Sequence, residues 1–299
     1  MHALRAHTRG GPEMLVYEQA PTPIPGDGEV LVEVHAAAIT FDELVWDETW
    51  TRDGVDRTPI IPSHEFSGVI ADTGQEVYGL VPFDRDGAAA EYVCVPVSQI
   101  APKPARLSHV EAAALPLPAL TARQALDRAE VTADDLVLVH GAAGAVGGYA
   151  TQMAVAMGAE VTVTAVSAID YVQTLGAQRV IDVRTEPFDS EPGAYDVVID
   201  TVGGQTLDRS YAVLCEGGRL VTLQTPPDLM KADQFGIVAI FFIVATNSDE
   251  LARLARFVDD GQLRVTVAAS FPLADGRAAY ASRSAMNRRP GKTVLTVRP

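Results

Sequence analysis

The chain has 299 residues, with 23 Lys and Arg against 39 Asp and Glu for a net charge of −16, and 47% of its residues are hydrophobic. That length suits about two domains, each able to bury its own core. A surface this negative repels phosphate backbones and anionic lipid, so neither nucleic acid nor a membrane is expected as a partner. Two cysteines, Cys94 and Cys215, are too few for a disulfide framework and lack the paired spacing of a structural zinc site, which suits a reducing cytoplasm. The N-terminus shows no signal-peptide pattern, and the longest apolar run, residues 237–245, is about half a membrane span. A cytoplasmic protein is expected.

Residues 1 to about 115 read as short strands between turns, with Pro21, Pro23, Pro25 and Gly26-Asp27-Gly28 leading into the alternating Glu29-Val30-Leu31-Val32-Glu33-Val34. From about 120 to 245 strands and helices alternate. Strands are expected at Leu136–His140 and at residues 160–166, 179–183, 197–200 and 219–223, and helices from Ala145, through Leu175 and from Gln205. This alternation predicts a parallel sheet covered by helices on both faces. The helix from Ala145 carries Val146, Tyr149, Ala150, Met153, Ala154 and Met157 at three-and-four spacing, giving one apolar face. After Ala245, polar residues 246–250 open a helix through Leu251, Leu254, Ala255 and Val258 that Gly261 closes. Strand-like residues 265–273 and 293–297 then suggest a return to the first domain.

The strongest local chemistry is Leu136–His140 running into Gly141-Ala142-Ala143-Gly144-Ala145-Val146-Gly147. Glycines let a backbone turn tightly and approach a pyrophosphate, while free N–H groups at the following helix start favour negative charge. A glycine-rich helix start used only for packing is the bland alternative, and the strand before and the helix after argue against it. Thr164 and Ser167 lie at the end of the second strand, where a dinucleotide meets its adenosine ribose. No acid that would select NAD stands at that tip, and Ser167 can donate to the 2′-phosphate of NADP, but no Lys or Arg follows it.

These residues resemble the zinc-independent quinone oxidoreductase branch of the medium-chain dehydrogenase/reductase superfamily. The resemblance is carried by Gly10-Gly11-Pro12-Glu13, Pro62-Ser63-His64-Glu65-Phe66-Ser67-Gly68-Val69 and Tyr78-Gly79-Leu80. It continues through Gly87-Ala88-Ala89-Ala90-Glu91-Tyr92-Val93, Ala112 to Ala122, the glycine turn, Asp196 to Gly204, Phe241-Phe242 and Gly291-Lys292-Thr293-Val294-Leu295. It implies an α/β plus β fold: a GroES-like catalytic domain, residues 1–115 and 246–299, with an inserted Rossmann domain, residues 116–245. It also implies NADP(H) as cofactor, hydride transfer to a quinone or an α,β-unsaturated carbonyl, and a homodimer formed through strand edges near residues 237–245.

By the same resemblance the cofactor is held by Gly141, Ala143, Gly144, Ala145, Val146, Gly147, Thr164, Ser167, Thr201, Val202, Gly203, Phe242 and Lys292. Thr40 and Tyr78 are the expected donors to the substrate, with Arg85 a weaker third. Trp46, His64, Phe83 and Phe241 are the expected walls of the substrate pocket. Each has a structural alternative: Thr40 as a turn residue, Tyr78 as packing, Arg85 as a surface ion pair, His64 and the aromatic residues as core. No metal is expected, because zinc-dependent relatives place a Cys near Ile39-Thr40-Phe41-Asp42 and carry a four-Cys lobe, and here only His64-Glu65 survives.

Two departures bear on function. The family's basic residue after the second strand and aromatic residue at the end of the third are replaced by Ser167-Ala168-Ile169 and Val183. Loss of one charge-assisted hydrogen bond, about 1.5–3 kcal/mol, would loosen NADPH roughly tenfold or more. Residues 68–77 are also shorter than the family's loop. A biosynthetic enoyl reductase or redox-neutral cyclase on the same fold, and a non-catalytic NADPH-binding or sensing protein, are the alternative functions.

Overall fold

The computed structural model describes residues 1–284 and 288–298. The chain divides into two compact units, Met1–Leu117 with Thr246–Pro299, and Pro118–Ala245.

The first unit is built on a seven-stranded sheet. Its order is Val267–Pro272, Lys292–Thr296, Glu29–Ile39, Glu65–Ile70, Glu76–Leu80 and Ile100–Pro102, with Tyr92–Pro96 also paired to Glu29–Ile39. The last two strand-like stretches of the sequence therefore do rejoin the first domain: Lys292–Thr296 runs antiparallel to Glu29–Ile39, with Leu295 opposite Ala37. Strand Glu29–Ile39 opens with three half-buried residues, alternates half-buried and buried from Leu31 to His35, then buries Ala36, Ala37, Ala38 and Ile39 in succession. Its register against Glu65–Ile70 shifts between Val34 and Ala36, and such a bulge twists a strand locally. The helix opened by the polar residues after Ala245 is Ser248–Asp259, capped by the Asn247 side chain, which accepts from the Glu250 N–H. It buries Leu251, Leu254, Ala255 and Val258, the face its spacing predicts.

The second unit is a six-stranded parallel sheet. In chain order its elements are β1 (Leu136–His140), α1 (Ala145–Ala156), β2 (Glu160–Ala165), α2 (Ile169–Gln173), β3 (Arg179–Asp182), β4 (Tyr195–Asp200), α3 (Gly204–Ser210), β5 (Leu214–Thr222), α4 (Leu229–Phe235) and β6 (Val238–Phe241). The sheet order is β3-β2-β1-β4-β5-β6, that of a doubly wound dinucleotide-binding domain, which takes its ligand beyond the carboxyl ends of the strands where the order reverses. Val137, Leu138 and Val139 of the central strand are fully buried, as a strand covered by helices on both faces requires. Helix α1 differs from the one-faced helix the spacing suggests, because every residue from Gly147 to Ala154 is buried. Gly147, Gly148, Ala150 and Ala154 keep it slim enough to be enclosed. Helix Pro116–Arg128, which precedes β1, is absent from the elements expected above. Its Pro116 and Pro118 occupy the first turn, where a helix tolerates proline because those N–H groups have no partner one turn back. No helix among the described residues is long and apolar enough to cross a membrane.

Candidate functional site

The glycine turn of the second unit forms where β1 ends. Gly141 has φ +78°, and a Cβ there would stand 2.6 Å from Thr201 Oγ1, so glycine is required twice over. A Cβ on Gly147 would meet the Gly141 carbonyl oxygen at 2.4 Å, so the second glycine lets helix α1 start hard against the turn. Gly144 caps that helix in extended conformation and has no side chain to occupy the helix end. The N–H groups of Ala145, Val146 and Gly147 in the first turn have no carbonyl one turn back, and with the helix dipole they form a site for an anion. Ala143, Ala145 and Val146 are half-exposed and Gly144 is exposed, so this end of the helix is reachable.

The turn is held from behind by a buried histidine outside the expected site. Ser210 Oγ gives its proton to the Thr206 carbonyl, 2.7 Å, so at 3.0 Å it accepts from His140 Nε2–H, and His140 Nδ1 accepts from Thr164 Oγ1, also 3.0 Å. Burial pushes this imidazole down to about 3, so it is neutral. The His140 carbonyl accepts from Thr201 Oγ1 at 2.7 Å, and the Thr164 carbonyl accepts the N–H groups of Gly141 and Ala142. One residue thus ties together β1, β2, α3 and the segment after β4. The signal was a histidine at the end of an otherwise apolar strand.

These bonds correct several expected cofactor contacts. Thr164 is buried and turned toward His140, and the Thr201 hydroxyl is spent on the turn. The N–H groups of Val202 and Gly203 donate to the Asp200 carboxylate at 3.0 Å, which leaves them unable to serve a ligand. One face of Phe242 is covered by the Arg128 guanidinium, 4.1 Å from the ring centroid. Ser167 stands exposed beyond β2, and Phe241 is exposed on edge strand β6.

In the first unit the turn Pro62-Ser63-His64 faces a network of buried polar groups. Ser63 adopts φ +71°, donates its N–H to Glu43 Oε2 at 2.9 Å and its hydroxyl to the Ala38 carbonyl at 2.8 Å. Glu43 also accepts the Thr40 N–H at 3.1 Å and the Tyr280 hydroxyl, and burial pushes its carboxyl up to about 7. Beside it Glu65 is ion-paired with Lys292 and accepts the Leu117 N–H at 3.1 Å. Burial raises the Glu65 pKa and the ammonium partly offsets that. Lys292 Nζ also donates to Thr40 Oγ1 at 3.0 Å.

Lys292 is therefore not a free cation for the cofactor: it is buried, and its ammonium is committed to Glu65 and Thr40. Tyr78, expected as a donor to substrate, is fully buried and gives its hydroxyl proton to the Leu251 carbonyl at 2.6 Å, joining the sheet to helix Ser248–Asp259. Arg85 pairs with Glu29, its surface alternative. Thr40 is half-buried, and among Thr40, Glu43, Ser63, His64, Glu65, Tyr280 and Lys292 it alone is not enclosed. Sequence reasoning gave no role to Glu43 or Tyr280, since an acid beside Asp42 reads as a solvated turn.

Of the expected pocket walls, three come together: Phe83 meets Trp46 edge-on at 5.4 Å and His64 at 5.2 Å. His64 is enclosed and does not line an open wall. Its two ring nitrogens have no hydrogen-bond partner among the described residues, and burial pushes its pKa down to about 4. Glu43 Oε2 lies 3.9 Å from Nε2. Among the described residues no three His, Cys, Asp or Glu side chains converge to hold a metal ion. Cys94 is buried, and Cys215 lies in the other unit, 3.5 Å from Asp196.

Two family models match, the alcohol dehydrogenase GroES-like domain over residues 26–85 and the zinc-binding dehydrogenase family over residues 175–295. The second carries zinc in its description, and the ligand set just described does not fit that ion. The quinone oxidoreductase from Coxiella burnetii superposes with a TM-score of 0.90 at 31% identity, covering 100% of this chain and 99% of that one. The NADPH-dependent alkenal/one oxidoreductase of Arabidopsis thaliana is 29% identical over 96% of this chain and 77% of its own length. The 2-methylene-furan-3-one reductase of Solanum lycopersicum is 30% identical over 90% and 72%. With a GroES-like unit, a doubly wound unit and a glycine turn at its switch point, the chain belongs to the quinone oxidoreductase branch of the medium-chain dehydrogenase/reductase superfamily.

Proposed function

We propose that the chain is a metal-free, NADPH-dependent reductase of quinones or α,β-unsaturated carbonyls. The observation that carries this reading is the turn at residues 141–147, where a Cβ on either Gly141 or Gly147 would collide and the helix start behind them is open. The first-turn N–H groups of Ala145, Val146 and Gly147 would hold the pyrophosphate, and in a chain of charge −16 that local positive potential is needed. NADPH, when bound, supplies the hydride.

The protein's part is orientation and stabilisation of developing charge on the substrate oxygen. Thr40 is the group fitted to donate to that oxygen, since its own oxygen is already polarised by the Lys292 ammonium. The absence of a converging ligand set among the described residues supports a reaction that uses no metal. The names of the plant relatives support an enone as substrate and NADPH as reductant. Two copies would associate along edge strand β6, where Val238 and Phe241 are exposed, with exposed Ile243 two residues beyond its end.

The test is steady-state oxidation of NADPH and NADH against a panel of quinones and enones, before and after exhaustive chelation. Turnover that persists after chelation and favours NADPH is the expected result. Activity abolished by chelator and restored by zinc would refute the metal-free reading, and an unchanged substrate mass would indicate the cyclase alternative.

A further inference from the structure

We propose that Arg184, which follows β3 as Ser167 follows β2, recognises the 2′-phosphate of NADPH in place of the basic residue missing after β2. This rests on the dinucleotide reading above and assigns its cofactor specificity to a residue the sequence pattern passes over.

Three observations converge on Arg184. Strands β2 and β3 are parallel neighbours with Ala165 opposite Asp182, and the Val183 N–H donates to the Ala165 carbonyl at 3.2 Å. Ser167 and Arg184 each lie two residues past that pair, so both leave the sheet at the same corner of its carboxyl edge. The segments leaving that edge are residues 141–144, 166–168, 183–194, 201–203, 223–228 and 242–245, and Arg184 is the only Lys or Arg in them. The cation next in line, Lys231 within α4, is paired with Asp208.

Arg184 is also oriented in advance. Its Nε and Nη2 donate to the two oxygens of Asp182 at 2.8 and 2.6 Å, a fork that fixes the guanidinium plane. Two of its five N–H donors are used, and with the side chain 61% exposed the other three remain for a ligand. The same fork neutralises Asp182, which would otherwise repel a phosphate. Other acids of this corner are engaged elsewhere, Glu186 by Arg179 and Asp189 by Arg209, which leaves Asp170 and Glu191 as the opposing charges. A phosphomonoester of nearly two negative charges matches a guanidinium fork, and the chain bearing the Ser167 hydroxyl leaves the sheet at the same corner.

The test is a fluorescence titration of NADPH and NADH with the wild type, Arg184→Ala, Arg184→Lys and Ser167→Ala. Arg184→Ala should raise the Kd for NADPH about tenfold or more and leave that for NADH unchanged. Arg184→Lys should keep part of the preference, and added salt should erode it in the wild type more than in Arg184→Ala. An NADPH-to-NADH ratio unaltered by Arg184→Ala, both cofactors weakened equally, or a wild type that prefers NADH would overturn the assignment while leaving dinucleotide binding in place. A wild type that binds neither cofactor would instead remove the reductase reading itself.

Discussion

Tyr78, Lys292 and Gly141 show what single residues do in this molecule, and each can be tested by itself. Gly141→Ala forces an alanine to φ +78° with its Cβ against Thr201 Oγ1, costing about 1–3 kcal/mol of stability and at least tenfold in cofactor affinity. Urea unfolding and NADPH titration read the two effects separately. Tyr78→Phe deletes one buried hydrogen bond to helix Ser248–Asp259, which should lower stability by about 1 kcal/mol and leave kcat unchanged. A large fall in kcat would return Tyr78 to the reaction. Lys292→Met leaves the Glu65 carboxylate enclosed without its cation, and the expected loss is about 3–5 kcal/mol. Adding Glu65→Gln should recover much of it, because the unpaired charge is then gone. The resemblance implies that Lys292, Thr164 and Thr201 contact the cofactor, and the sequence does not show which way they face. Facing is decided by partners far along the chain, such as Glu65 for Lys292 and His140 for Thr164.

Among the elements, the parallel strands were legible because each is a short apolar run between turn signals, and Leu136–His140 is observed with the bounds its pattern gives. The ends of others moved: β5 begins at Leu214, five residues before the expected start, because Leu214 already pairs with Tyr195 ahead of a register shift that takes in Gly217 and Gly218. Helix Pro116–Arg128 was hidden by prolines that read as breakers when they in fact open the helix. Edge strand β6 carries the element's own prediction, since it pairs with β5 on one side only. Val238→Lys places a charge on that edge and should raise the dimer dissociation constant at least tenfold, read by analytical ultracentrifugation, with NADPH affinity unchanged. A wild type that sediments as a monomer at micromolar concentration would contradict the edge association.

For the whole molecule, the buried titratable groups set the dependence of stability on pH. His64 has its pKa lowered from 6.5 to about 4, so below pH 6.5 the unfolded chain takes up a proton that the folded chain refuses. Stability from this residue is full above pH 6.5 and is lost as the pH falls toward 4. Between pH 7 and 5 the loss is about 2 kcal/mol. Glu43 works the other way, because its raised value, about 7, means that the folded chain keeps a proton the unfolded chain has released. Its contribution is present below pH 4.5 and lost as the pH rises through 7. The residue-specific readout is therefore a difference: His64→Leu should reduce the fall in unfolding free energy between pH 7 and 5 relative to wild type, and equal falls in the two proteins would show that His64 is not the group that titrates.

The two units assign themselves by chemistry, a cradle for a dinucleotide at Gly141–Gly147 in one and an enclosed Glu43, Glu65 and Lys292 network that surfaces at Thr40 in the other. The most direct test mixes chelator-treated protein with NADPH and an excess of a quinone or an enone and follows the nicotinamide absorbance. Oxidation of NADPH in step with formation of hydroquinone or saturated ketone is the predicted result. Tight NADPH binding with no oxidation by any member of either substrate class would contradict it and identify a protein that holds the cofactor without turning it over.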